Sequence, residues 1–186
     1  MPDYRKAPKA GVRMAFCGMA AGLSVVIMMM GGLIPAAVYA VPLLCGLILL
    51  PVSIEFGRPT AWATFAASAI LALMLDFDKE AAFFYLFIGY YPIIKWPLDT
   101  LIKSKPVRLL VKLAVFTFSV LLMYALLNLL FPMEAFMQEF HEIGVIFLIC
   151  LLILYDICML LYDRLLITAL MIYANRIRPK FRFLRK

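Results

Sequence analysis

The sequence is poor in charge. Only 16% of its 186 residues are Asp, Glu, Lys or Arg, against about 25% in an ordinary soluble domain. Apolar residues make up 66% and mean hydropathy is +1.00. This composition excludes a water-soluble domain with a charged shell and predicts an all-α integral membrane protein. Histidine is nearly absent: the single one, His141, leaves little material for a metal centre or a catalytic triad. No HExxH, GxSxG or GxxxxGK[ST] pattern occurs, so neither zinc hydrolysis, nor a serine elbow, nor ATP hydrolysis through a phosphate loop is expected. The four cysteines, Cys17, Cys45, Cys150 and Cys158, lie in apolar runs without CxxC spacing and are expected as buried thiols. The acids Asp76 and Asp78 stand beside Lys79 on a polar turn and are read as solvated loop residues, not as a tuned acid/base pair. The chain is therefore expected to be no enzyme and to carry no metal or cofactor.

What is present is a series of apolar runs separated by breakers. A hydrocarbon core about 30 Å thick takes about 20 residues per helix, and the runs predict six transmembrane helices over about 12–33, 36–54, 60–76, 80–96, 107–131 and 142–173. The breakers are Gly31-Gly32 with Pro35, Gly57 with Pro59, the DFDKE stretch, Pro97 to Pro106, and Pro132. Pro42, Pro51 and Pro92 fall inside spans, where a kink is expected. The start MPDYRKAPKAGVR looks like the basic end of a signal peptide, but the run behind it is long and leads into more membrane sequence, so an uncleaved first span is expected. Residues 1–186 are read as one transmembrane domain ending in a basic tail, 174–186.

Charge orients this six-helix bundle. With both termini in the cytoplasm, 17 of the 18 basic residues fall inside and only Lys79 outside. The outer connections carry Asp76, Asp78, Glu80, Glu134, Glu139 and Glu142 together with His141. A multi-pass protein of the cytoplasmic membrane is the expectation. The net charge of +7 is thus a topology signal, reinforced by anionic lipid at the inner face, and gives no support to a nucleic-acid partner.

Charge also enters the last helix. In LLILYDICMLLYDRLLI, Asp156 and Asp163 are seven residues apart, which at 3.6 residues per turn places them on one stripe beside Tyr155 and Tyr162. Asp163 and Arg164 are expected near the inner boundary and Asp156 about 10 Å deeper. Lys95, at the inner end of the fourth helix, is the expected counter-charge of Asp163. Asp156 is read either as a helix-to-helix hydrogen bond or as a proton or substrate site.

Two further features are positional. Ala15, Gly18, Ala21 and Gly22 make a smooth strip on the first helix, a packing face in lipid either for this chain's own helices or for a partner. The fourth helix opens KEAAFFYLF, and its outer aromatic group, with Lys79, Glu80, Tyr85 and Asn128 as polar members, either packs simply or walls a ligand pocket.

RMAFCGMAAGLSVVIM, GGLIPAAVYAVP and DKEAAFFYLFIGYYPIIK, together with size and topology, resemble the substrate-binding S components of energy-coupling factor (ECF) transporters. The resemblance implies a six-helix subunit that captures a small vitamin-like nutrient outside and works with a transmembrane coupling protein and two cytoplasmic ATPase subunits. It implies substrate contacts at Tyr39, Lys79, Glu80, Phe84, Tyr85, Asn128 and Glu142, and contact with the coupling protein through Ala15, Gly18, Ala21 and Gly22. Two alternatives stand beside it: a membrane scaffold for cell-envelope assembly, and a small proton-coupled carrier using Asp156.

Overall fold

The computed structural model describes residues 10–32, 34, 37–102, 104–130 and 145–177. Among them the chain is helical, with no strand. The helices are α1 (Ala10–Gly31), α2 (Ala40–Phe56), α3 (Arg58–Leu75), α4 (Lys79–Ile88), α5 (Tyr91–Leu101), α6 (Lys105–Leu130) and α7 (Val145–Ile172), which runs into a π-helical turn, Tyr173–Ile177. Three of them, α1, α3 and the Lys105–Leu126 part of α6, are long and apolar enough to cross a membrane. Many large apolar side chains face outward, with Met14 and Met74 each 74% exposed, as expected where lipid covers the surface.

The predicted fourth span, 80–96, is two helices. Pro92 has no N–H to offer the carbonyl of Ile88, and its ring disfavours helical geometry just before it, so the chain breaks at Gly89 and Tyr90. The predicted second span begins later than expected, at Ala40, because Ile34 and Ala37 are spent on turn bonds to Gly31 and Ile34. The third begins earlier, at Arg58, because Pro59 sits in the first turn, where a missing N–H costs nothing. Gly57, with φ 86°, makes the corner between α2 and α3, a backbone region open to glycine at little cost.

The chain divides into two compact units, one of residues 1–96 with 166–186 and the other of residues 97–165. In the first, α1, α2, α3 and α4 pack on one another around Met28, Cys45, Leu49, Val52, Phe65, Tyr85 and Ile93, with alanines between them. The alanines let backbones approach closely, which is how helices gain dispersion energy in an apolar solvent. Hydroxyls buried there are satisfied: Ser24 donates to the carbonyl of Ala20 at 2.9 Å and Thr64 to that of Thr60 at 2.9 Å. The Tyr85 phenol lies 2.9 Å from Ser68 Oγ. Ser68 has one hydroxyl proton and gives it to the Phe65 carbonyl at 2.9 Å, so Tyr85 is the donor. Behind the C-terminal end of α7, Tyr173 donates to Glu55 at 3.5 Å.

In the second unit the ends of α5, α6 and α7 are joined by charge. Lys112 lies 2.7 Å from Asp99 and 2.9 Å from Asp163, and Arg108 lies 3.6 Å from Asp99.

Gly89 is fixed by Tyr85. A methyl group added there would fall 2.5 Å from Cδ2 of the ring and 2.6 Å from the Tyr85 carbonyl oxygen. Gly89→Ala is therefore expected to destabilise the protein by about 1–3 kcal/mol through overpacking, whereas a methyl at Gly18 or Gly22 meets nothing within 4 Å and should leave stability unchanged or raise it through helix propensity. Thermal unfolding of the purified variants in detergent checks both; an unperturbed Gly89→Ala would contradict this account of Tyr85.

Candidate functional site

The turn from α3 into α4 carries Lys79 and Glu80, two of the residues expected to contact substrate. α3 finishes at Asp76, whose N–H bonds the Ala72 carbonyl at 2.8 Å. Lys79 then folds back, its ammonium donating to the carbonyls of Leu73 at 3.0 Å and Asp76 at 2.8 Å, so it caps α3 where the helix dipole is negative. Asp78 is the N-cap of α4, accepting from the N–H groups of Glu80 at 3.0 Å and Ala81 at 3.3 Å. Glu80 lies in the first turn, where a carboxylate is favoured. Its Oε1 also accepts from the Tyr39 hydroxyl at 2.5 Å, and the Tyr39 ring stands edge-on to Phe84 at 5.2 Å. Tyr39, Glu80 and Phe84 thus come together, tying the start of α2 to α4.

The other residues expected at this site are placed differently. Lys79 is engaged in capping. Tyr85 points into the helical core, fully buried, with its hydroxyl on Ser68; one residue along a helix turns a side chain by about 100°, so Phe84 and Tyr85 face apart. Asn128 falls in α6 but its side chain, like the whole of Glu142, lies outside the described residues, as do Glu134, Glu139 and His141.

Asp76 is not the solvated acid its DFDKE context suggested. It is 2% exposed. Its Oδ1 accepts from the Asp78 N–H at 3.3 Å, while Oδ2 is buried with no hydrogen-bond partner among the described residues. Burial pushes its carboxyl above the ordinary range, Asp78 adds to the rise, and backbone hydrogen bonds and Lys79 act against it.

The strip on α1 resolves into two directions. Ala15, Gly18 and Gly22 are exposed, in line with exposed Gly11, whereas Ala21 is buried against the packed side with Ala20. A shallow groove of about 180 Å³ runs beside this face between α1 and α2, lined by Phe16, Met19, Ala20, Leu23, Ile48 and Pro51. Its lining is wholly apolar and includes none of the expected ligand contacts. Of the cysteines, Cys45 is buried, Cys17 half-buried, and Cys150 and Cys158 are exposed.

The acidic stripe of α7 faces α6. Asp163 is 7% exposed and takes both of its oxygens to Lys112, at 2.9 and 3.0 Å. Asp156 accepts from the Thr117 hydroxyl at 3.1 and 3.3 Å. Lys95 is buried and Arg164 is exposed. Sequence reasoning passed over Lys112, Asp99 and Thr117. The signal was available for Lys112, a lysine two turns inside an apolar helix, where a counter-charge is required.

No protein-family model, curated protein or solved structure matches this chain.

Two predictions follow from the charges. Lys112→Met removes the ammonium shared by Asp99 and Asp163 and should cost about 3 kcal/mol; adding Asp163→Asn should recover most of it, measured by thermal unfolding. For Asp76, the raised carboxyl means that stability is complete below the ordinary carboxylate range and falls as pH rises through the folded-state value. Asp76→Asn is therefore expected to stabilise the protein near neutral pH, in the presence of the same Asp78, Lys79 and Cys45, with the gain fading as pH falls through the folded-state value and gone below about 4. A gain that persists unchanged in acid would contradict the assignment.

Proposed function

We propose that this chain is a substrate-capturing membrane subunit of the ECF type, a multi-pass protein of the cytoplasmic membrane with six spans and both termini inside. It takes up a small vitamin-like molecule at its acidic outer end and works with a separate transmembrane coupling protein and two ATPases.

The observation that carries the reading is the open strip on α1. Glycine and alanine in a helix facing lipid contribute little dispersion by themselves, yet Gly11, Ala15, Gly18 and Gly22 form a line that this chain's own packing leaves exposed. Such a line admits a second helix to close backbone contact. The Tyr39–Glu80–Phe84 cluster supports capture at the opposite chemical end, joining aromatic walls to a carboxylate. The lack of a phosphate loop in this sequence is what such a division of labour would produce.

The test is co-purification from the native membrane. The wild type should bring down a membrane partner and two ATPases, and Gly18→Leu, which fills the strip without touching the packed face, should release them while its unfolding temperature stays unchanged. Retention of all partners by Gly18→Leu would refute the strip as their contact. Association with cell-envelope assembly proteins and no ATPase would favour the scaffold alternative.

A further inference from the structure

The apolar groove between α1 and α2 has a charged end. Phe16, on its lining, packs on Phe56 of α2 with ring centroids 5.2 Å apart. Arg13 precedes Phe16 by three residues, almost one helical turn, and Arg58 follows Phe56 by two. Both arginines are exposed, and neither is held in an ion pair among the described residues. α1 and α3 contain no acid, and α2 contains only Glu55, which accepts from Tyr173 at 3.5 Å. This end of the groove is therefore cationic.

Its depth matches one leaflet. From Phe16 to Leu23 the lining extends along α1 by about 10 Å, and Pro51 and Ile48 stand about 8–12 Å back along α2 from Phe56. Half of a hydrocarbon core is about 15 Å, so with Arg13 and Arg58 at the headgroups the groove stays within the leaflet on their side. Its volume of about 180 Å³ exceeds the roughly 150 Å³ of an engineered apolar cavity that takes up benzene. The wholly apolar lining offers dispersion to hydrocarbon and no hydrogen bond to a polar ligand.

We infer that the groove is a site for one anionic phospholipid, with an acyl chain lying between α1 and α2 and its phosphate held by Arg13 and Arg58. Guanidinium groups bind phosphate oxygens through paired hydrogen bonds. A zwitterionic headgroup would bring its own ammonium against the two arginines, whereas an anionic one matches them. The site does not depend on the capture reading. Met19 and Leu23, which wall it, each follow an exposed glycine of the α1 strip by one residue, so the groove lies about 100° around the helix from that line.

The test uses delipidated full-length protein in detergent, titrated with dioleoyl phosphatidylglycerol or dioleoyl phosphatidylcholine and read by thermal unfolding and native mass spectrometry. Phosphatidylglycerol should raise the unfolding temperature and be retained as one adduct; phosphatidylcholine should do neither. Arg13→Gln should raise the half-saturating concentration about fivefold, and the double variant with Arg58→Gln about twenty- to thirtyfold, the range for losing one and two basic residues beside an anionic headgroup. Lys105→Gln, an equal change of charge at the exposed start of α6, should leave the response unchanged. Met19→Trp, which crowds the groove from an exposed position, should weaken the response while the lipid-free unfolding temperature stays the same. Glycerol 3-phosphate, a headgroup without chains, should give no shift. Equal responses to the two lipids, a Lys105→Gln as damaging as Arg13→Gln, or a double variant that binds like the wild type overturns the assignment. So does a response that Met19→Trp leaves intact or that glycerol 3-phosphate reproduces, because the groove then has no part in it. A wild type that responds to neither lipid leaves the groove to a protein partner and overturns the assignment as well.

Discussion

A polar group set among apolar helices has no water to fall back on, and this constraint shapes every distinctive feature of the molecule. Where a partner is supplied, the group becomes a tie. Tyr85 reaches Ser68, Ser68 reaches the Phe65 carbonyl, and Gly89 is bare because the ring needs its space. Lys112 stands between Asp99 and Asp163 and joins α5, α6 and α7, with Arg108 beside Asp99 as the second positive charge. Hydrophobic burial alone gives little direction in such a chain, because lipid is as apolar as leucine. The polar ties give the packing its register.

The same constraint marks the exceptions. Asp76 is buried with one oxygen unpaired, and the small-residue line of α1 faces outward without a neighbour over Gly18 or Gly22. The first is an unpaired acid at the turn between α3 and α4, the second a lack of packing along a helix. Each is a cost that the chain carries, and under the proposed function a partner helix would cover the second.

Much of this was legible from residues alone. The spacing of Asp156 and Asp163 put both on one face, and they do meet one helix, α6, at Thr117 and Lys112. Glycine and proline marked most helix ends to within a few residues. Pro92 marks an irregularity in the fourth span from sequence alone, but a proline inside a run of aromatic and aliphatic residues reads as a kink, and only the packing shows that it divides the span into two helices at Gly89 and Tyr90. The contact of Asp163 with Lys112 is not readable from sequence either, since charge balance along a sequence does not say which of several lysines reaches a carboxylate. Tyr39, Glu80 and Phe84 could be grouped from their positions, but the inward turn of Tyr85 and the burial of Asp76 are products of packing, and DFDKE reads as a solvated turn until α1 is placed against it.

The central claim is that the chain holds a small molecule and hands it to other subunits. Native mass spectrometry of gently extracted, full-length protein tests it most directly, because bound ligand and bound subunits are read in one spectrum. The account predicts a retained small molecule together with a membrane partner and two ATPase copies. A spectrum of the chain alone, with neither ligand nor subunits under conditions that preserve lipid adducts, would contradict it.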